Sequence, residues 1–458
     1  MAYSRGFLAY MHALINGENE MRFILLLLTV FAVSTVNAQE KIDADVSTYT
    51  NLLKQLDQHP ALEAVRQQVI EQREAAAGAG GLPDPMVMFG INNYPADGSG
   101  GFDRFAMTSK SIGFVQKIPN AGVRASSVLA KEVLSNKSRI AVDFTHQQLI
   151  AALNTALAEQ SRVRQEKNLI KEDIKLLKQE SAYWDGRLQA GDSALDERSR
   201  VEAELAQSEA KIATLYAEEI QFREELKRLT QTTETVPVPA IFPLPWPNTS
   251  HIFPVLLAEK DVQVARANVE SAESAFGSNY QFGVTYAQRD NTGSFDGGDF
   301  TSVQFGVSIP LWASKNQKPK LRSAQAGVSR VQAILADTKS QWHQQLATQF
   351  AKIKETQATK RALEEKKKAI QTQITSLRNA YEADGRLDIL IAAKRSMLGL
   401  SVQLVQLDAR YIKQVSGYNA MFQNVQVTDG QNLAPLKTVK SKNDSHPLEA
   451  EPKEKGNL

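Results

Sequence analysis

The stretch TSVQFGVSIP, Thr301 to Pro310, decides the fold of a chain whose other long segments are charged, alanine-rich and typical of helices. Along an extended backbone, successive side chains point to opposite sides. One side of this stretch is polar or small. The other, apolar side consists of Val303, Phe305, Val307 and Ile309. This alternation predicts a β-strand over residues 301–309.

Three further segments have strand character, and the four occur as two pairs. The predicted strands are about 85–94, 110–118, 279–289 and 301–309. Both pairs are joined by loops rich in Gly, Asp and Ser. Each strand has roughly nine to eleven residues, the length that a tilted strand needs to cross a bilayer core. A small soluble sandwich, or a sheet lying on the helices, is the alternative interpretation.

A membrane barrel would place the apolar side of 301–309 against lipid and the polar side in a wet lumen. Four strands cannot close on themselves, because single-chain bacterial barrels begin at about eight strands. Open strand edges in hydrocarbon leave backbone polar groups without partners. A barrel built from this chain must therefore be shared between two or three copies.

Long helices are predicted from runs without Gly or Pro, such as residues 123–185 and 328–384. In each half a long helix turns near a glycine, Gly191 or Gly385, and a second helix returns. The predicted helices are about 120–189, 193–231, 316–383 and 387–424. Leucines and other apolar residues at seven-residue spacing in the returning helices indicate coiled-coil seams, which Glu219 interrupts in the first.

An internal duplication is indicated by matches in the same order at nearly constant offset. Pro60 aligns with Pro254, an offset of 194, and Phe114 aligns with Phe305, an offset of 191. We therefore divide the chain into a first repeat, a proline-rich linker and a second repeat. Their ranges are 39–235, 236–250 and 251–428.

The two ends of the chain are interpreted separately from the repeats. Residues 1–38 are a leader and secretory signal peptide, with Arg22 before an apolar run and cleavage expected after Ala38. Translation starts at Met1 or at Met21. Residues 429–458 are charged and almost free of large apolar residues, which predicts a disordered tail.

Composition and motifs exclude several classes of function. The formal net charge is +2 and the chain has no cysteine, so neither nucleic-acid binding nor thiolate chemistry is favoured. The six histidines show no metal-ligand spacing, and no phosphate-binding loop or nucleophile elbow is present. We predict neither an enzyme, nor a bound cofactor, nor a resident metal site.

The layout resembles the TolC family of outer-membrane efflux channels over about residues 45–428. Segments carrying the resemblance are HPAL, QKIPNAGVR (116–124), AGDSALD and YEADGRLD. The resemblance implies a homotrimer with a twelve-stranded outer-membrane barrel, continued by a helical tunnel through the periplasm of a Gram-negative envelope. It also implies two partners, a periplasmic adaptor and an inner-membrane pump, in a system that exports solutes passively through the duct.

Within that family, acidic side chains at the hairpin tips narrow the pore. Asp388 matches those positions best, and Asp196 occupies the equivalent place in the first repeat. Asp384 and Asp192 are further candidates for the constriction, with helix capping at the turn as the alternative. A second family acid is replaced by Ile391, so a double acidic ring is not expected.

The segment that begins LPDPMVMFGINNYP resembles the branch that works with heavy-metal pumps of the resistance-nodulation-division (RND) type. That implies heavy-metal cations as the exported solute. Methionine is a soft ligand, so Met86, Met88 and Met107 are candidate contacts, although filling a strand face is the commoner role. Drug or protein export through the same duct is an alternative, and a periplasmic coiled-coil adaptor or scaffold is another.

Overall fold

A computed structural model describes residues 48–423, except 99, 247–250, 292, 294–295 and 385–386. The predicted signal peptide, the tail, part of the linker and Gly385 therefore lie outside the described residues. The side chain of Asp384 is also outside the description.

Each half of the chain contains the same succession of helices: a shorter helix, a very long helix and a returning helix. A short helical segment at 48–56 (α1) precedes them. The others are α2 (Pro60–Ala79), α3 (Ala121–Gln189), α4 (Leu195–Thr230), α5 (Phe253–Ser274), α6 (Gln317–Asp384) and α7 (Leu387–Asn419). Within the described ranges, every helix is too poor in apolar residues to pass through a bilayer.

The two longest helices follow from runs of good helix formers between glycines. Helix α3 has 69 residues, so it extends about 104 Å. Asn120 caps its start, with Oδ1 accepting hydrogen bonds from the N–H groups of Gly122 and Val123 at 2.8 and 3.3 Å. Just beyond its end lies Gly191, at φ +90°, a conformation that other residues rarely adopt.

The helices form a layer in which α3 is central. It packs against α2 and α4 on one side and against α5 and α7 on the other, and α6 packs against α5 and α7. Two apolar cores hold this layer together. One lies where α1 and α4 meet α3, and the other lies where α7 and α5 meet α6. Burial and a 2.7 Å hydrogen bond to Asn154 fix Tyr49 in the first core, and burial raises the pKa of this tyrosine to about 12.

The predicted seam of α4 explains its contacts with α3. Of the apolar residues at seven-residue spacing, Leu215, Leu226 and Leu229 are buried, and Leu205, Ile212 and Phe222 are half-buried. Two polar seam positions have partners on α3 instead. Ser208 donates to Asp173 at 3.2 Å, and Glu219 accepts from Lys167 at 2.6 Å.

The four strands form one antiparallel sheet in the order β1-β2-β3-β4. Their bounds are Met86–Asn92 (β1), Ser109–Ile118 (β2), Tyr280–Gln288 (β3) and Phe300–Val307 (β4). Strands β2 and β3 pair directly, from Lys110 with Gln288 to Ile118 with Tyr280, so the sheet joins the two halves of the chain. All four strands meet the helices at the same end of the sheet.

Candidate functional site

One face of the sheet is apolar across all four strands. Residues directly opposite each other in antiparallel strands lie on the same face. The register places Val87 opposite Phe114, Phe114 opposite Val284, and Val284 opposite Val303, which makes one row across the sheet. Neighbouring rows add Phe89 with Ile112, Phe282 with Phe305, and Tyr280 with Val307.

This face is open to solvent in the single chain. Phe89 is 80% exposed, Val303 is 67% exposed and Phe305 is 69% exposed. Val307 and Ile309 are also exposed. Contiguous apolar surface of this kind is rare on monomeric soluble proteins and marks contact with a membrane or another protein.

The opposite face of the sheet carries small and polar residues. Each strand contributes one glycine to it, namely Gly90, Gly113, Gly283 and Gly306. A Cβ atom would lie 3.0 Å from Oγ1 of Thr285 at Gly113 and 3.1 Å from Oγ of Ser111 at Gly90, so these two positions have little room for a side chain. A face of small residues allows a sheet to curve toward it, as strands must in a barrel.

Both edges of the described part of the protein are unpaired. Strand β1 bonds only to β2, and β4 bonds only to β3. The helix layer ends in the same way, because α6 packs only on its α5 and α7 side. Of the described side chains of α6, only Leu346, Ile353 and Thr356 are buried. The edge formed by β4 and α6 and the edge formed by β1, α2 and α4 are therefore two open sides.

The hairpin tips lie at the end of the helices farthest from the sheet. Asp192 and Asp196 are both exposed beside Gly191. Asp192 does not cap α4, whose N-cap is Ala194 without a side-chain hydrogen bond; its carboxylate accepts a hydrogen bond from Arg187 instead. Asp388 lies in the first turn of α7 and is half-buried. The two tips thus place acidic residues at the same end of the molecule.

A charged cluster that sequence analysis did not predict links α7 to the first hairpin. Arg395 of α7 donates to Oδ1 of Asp173 on α3 at 2.8 Å and also to Glu204 on α4. Glu180 on α3 lies 3.8 Å from the same guanidinium group. Arg200 of α4 completes the cluster, donating to Glu180 at 2.8 Å and to Glu204 at 2.7 Å.

Electrostatics hold the cluster in its charged form. Burial acts against ionisation of Glu204, but the hydrogen bonds from Arg395 and Arg200 outweigh it and lower the pKa of this carboxyl group. The pKa of Arg395 is raised: burial opposes the charge, and the bonds to Asp173 and Glu204 outweigh that effect.

A second polar contact lies further toward the sheet. Glu166 of α3 is buried and accepts hydrogen bonds from Arg162 at 2.8 Å and from Gln406 of α7 at 3.0 Å. Lys211 of α4 lies 3.5 Å from the same carboxylate. Glu166 of α3 thus contacts both other helices, α4 through Lys211 and α7 through the side-chain amide of Gln406, and this arrangement helps to fix the relative position of the two hairpins.

The methionine candidates do not form one site. Met86 and Met88 lie on the small-residue face of β1, whereas Met107 lies beyond the other end of that strand, and all three are exposed. Among the described residues, no group of three His, Cys, Asp or Glu side chains has the geometry to hold a metal ion.

Comparisons with known proteins identify the fold. The chain matches no protein-family sequence model and no curated protein sequence. Among solved structures it is similar to CusC, whose crystal structures concern transmembrane channel formation, with a TM-score of 0.66, 14% identity, and coverage of 81% of this chain and 91% of CusC. It is also similar to the outer-membrane channel OprN, with a TM-score of 0.67, 16% identity, and coverage of 82% and 89%.

The open state of the MtrE outer membrane channel of Neisseria gonorrhoeae gives a TM-score of 0.65 at 18% identity, with coverage of 81% of this chain and 88% of MtrE. The chain thus has the TolC-like fold of outer-membrane channel proteins.

Proposed function

We propose that this chain is one protomer of a homotrimeric outer-membrane export duct that continues through the periplasm. The observation that carries the proposal is the exposed apolar row Val87, Phe114, Val284 and Val303, which crosses a sheet with two unpaired edges. Lipid would cover the apolar face, and the small, polar face would line the lumen.

Neighbouring copies would complete the backbone hydrogen bonds at the sheet edges. In this arrangement β4 of one copy pairs with β1 of the next, and α6 packs on α2 and α4 of the next. The two open sides thus form a heterologous interface, which generates a closed ring when the rotation per copy is right. With four strands per copy, three copies supply twelve.

The helical tips would be the gate and the contact with a periplasmic adaptor. Asp388 and Asp196 are the leading constriction candidates, with Asp384 and Asp192 as further ones. Like charges gathered near a pore axis repel one another, attract cations and favour opening. Transport through the duct is passive, and an inner-membrane pump supplies the energy.

A pump of the RND type and heavy-metal cations as its solutes are the finer part of the proposal. Similarity to CusC supports the channel fold and not the solute. Resistance of a deletion strain to metal salts and to drugs separates the two solute classes. Loss of metal resistance alone is the expected result, and loss of drug resistance alone would favour drug export.

A periplasmic adaptor is the alternative from another class. The four-stranded sheet at one end of the two helical hairpins favours the duct, because an adaptor has no need for an exposed apolar sheet face. Membrane fractionation with heat-modifiable gel migration tests the difference. If the chain is the duct, it should be heat-modifiable and should be found in the outer-membrane fraction, with its mature N-terminus at Gln39. An adaptor should be neither heat-modifiable nor embedded in the outer membrane.

A further inference from the structure

The segment that follows β4 has an unusual charge pattern. Between Phe300 and Ala336 the sequence contains no Asp or Glu. The basic residues in the same interval are Lys315, Lys318, Lys320, Arg322 and Arg330. All five are exposed, and none forms an ion pair with any described residue. We name the part from Pro310 to Arg322 the basic collar.

Some cations elsewhere on α6 are paired within the protomer. Lys339 forms an ion pair with Glu259 at 2.9 Å, and Lys360 forms one with Asp408 at 2.5 Å. The acidic residues Glu270 and Glu273 at the end of α5 form no ion pair with the basic collar. The collar therefore carries positive charge that its own described protomer does not neutralise.

Local helix stability does not account for this charge. Lys318 and Lys320 lie in the first turns of α6, which begins at Gln317 and has no acidic residue in its first turn. The N-terminus of a helix carries partial positive charge, so basic residues there are mildly unfavourable. A ligand that supplies negative charge would remove this cost.

Apolar side chains lie directly before the cations and continue the apolar sheet face. Ile309 is 67% exposed, Leu311 73% and Trp312 72%. The chain turns at this point: the carbonyl oxygen of Trp312 accepts hydrogen bonds from the N–H groups of Lys315 and Asn316 at 3.0 and 3.1 Å. The turn brings the apolar residues and the cations together at the helix end of the sheet, where Tyr280 of β3 also lies.

We propose that the basic collar binds the headgroup phosphates of anionic phospholipid, in the leaflet on the helix side of the bilayer. The inference rests on the proposed function, since it requires the sheet to cross a membrane. Trp312 and Leu311 enter the interfacial layer next to the lipid-covered face, as aromatic residues do at membrane boundaries. Lys315, Lys318 and Lys320 extend their ammonium groups to the phosphates.

A second copy of the chain is the competing occupant. The position of Ile309 argues for lipid. Ile309 follows Val303, Phe305 and Val307 in alternation, so it extends the apolar face of the sheet, which lipid would cover, and not the edge of β4, where another copy would pair. Trp312 is exposed on this continuation. Lipid is therefore the occupant to which we commit, and contact between copies is an outcome of the test.

Native mass spectrometry of the detergent-purified oligomer, titrated with phosphatidylglycerol or phosphatidylcholine, tests the inference. The test variant is K315Q/K318Q/K320Q. Its matched control is K352Q/K366Q/K367Q, three lysines on the same helix that begin about 51 Å further along it, of which Lys352 and Lys366 are exposed and Lys367 is half-buried. Each basic residue near an anionic surface strengthens binding about fivefold, so the test variant should lose at least about tenfold in phosphatidylglycerol affinity. The control variant and phosphatidylcholine binding should not change.

Three results of the comparison between the variant and the wild type would overturn the inference. One is unchanged phosphatidylglycerol affinity in the test variant. Another is dissociation of its oligomer in the same spectrum, which would assign the lysines to contact between copies. The third is full displacement of phosphatidylglycerol by millimolar inorganic phosphate, which would assign them to free anions. A wild-type oligomer that stays intact but binds phosphatidylglycerol and phosphatidylcholine equally refutes this inference alone. A wild-type protein that forms no oligomer and enters no vesicle refutes the proposed function as well.

Discussion

Replacing Val303 with lysine tests which face of the sheet contacts lipid. Val303 is in the middle of β4, opposite Val284, and its side chain is 67% exposed, so little packing within the protomer is lost. A lysine on the lipid face near the bilayer midplane costs about 2–4 kcal/mol. With three copies per ring, the cost is about 6–12 kcal/mol for the assembled oligomer. We therefore expect Val303→Lys to remove most of the oligomer from the outer membrane.

The adjacent residue supplies the control at nearly the same depth. Gln304 lies on the other face, opposite Gly283, where the proposed lumen is wet. Gln304→Lys should assemble normally, because its ammonium group remains hydrated. The assay is the fraction of folded, heat-modifiable oligomer in outer membranes, followed by urea unfolding in vesicles. Equal assembly of the two variants, or greater loss with Gln304→Lys, would refute the assignment of the faces.

The remaining predictions concern the helices. Arg395→Met should destabilise the attachment of α7 by about 2–3 kcal/mol, because it leaves the carboxylate of Asp173 without its cation in a partly buried site and leaves Glu204 with Arg200 alone. Hydrogen exchange in α7 should become faster. Since the pKa of Glu204 is lowered by folding, its contribution is present above its unfolded pKa of about 4.5 and is lost as the pH falls through the lower folded value. Acid titration of thermal stability should thus show a smaller loss in Arg395→Met than in the wild type. Asp388→Ala should raise leak conductance in planar bilayers, with Asp192→Ala as the control that should change it less; unchanged conductance would remove Asp388 from the gate.

The local elements of this fold could be predicted from sequence because their signals are local. Alternation at Val303, Phe305 and Val307 indicated the apolar face of β4, on which these three side chains are exposed. Freedom from Gly and Pro indicated the long helices, and Gly191 indicated where α3 ends. Seven-residue spacing indicated the seam of α4, and Glu219, which interrupts the pattern, has a cation on α3 as its partner.

The contacts between the halves could not be predicted in the same way. Arg395 and Asp173 are 222 positions apart, and nothing in either local sequence selects the other. The sequence shows that the basic collar contains cations and no acidic residue. Its interpretation as a lipid-binding segment also requires that Trp312 is exposed and that the cations form no ion pairs with described residues, and only the packed structure shows these two facts. Likewise, the row from Val87 to Val303 required the register of three strand pairs.

The number of chains in the membrane-extracted protein tests the central claim most directly. Native mass spectrometry in detergent should give a single species of three protomers that loses its solubility when detergent is removed. That result follows from a sheet of four strands whose two edges must both be paired in lipid. A monomer that stays in solution without detergent and does not bind vesicles would contradict the account.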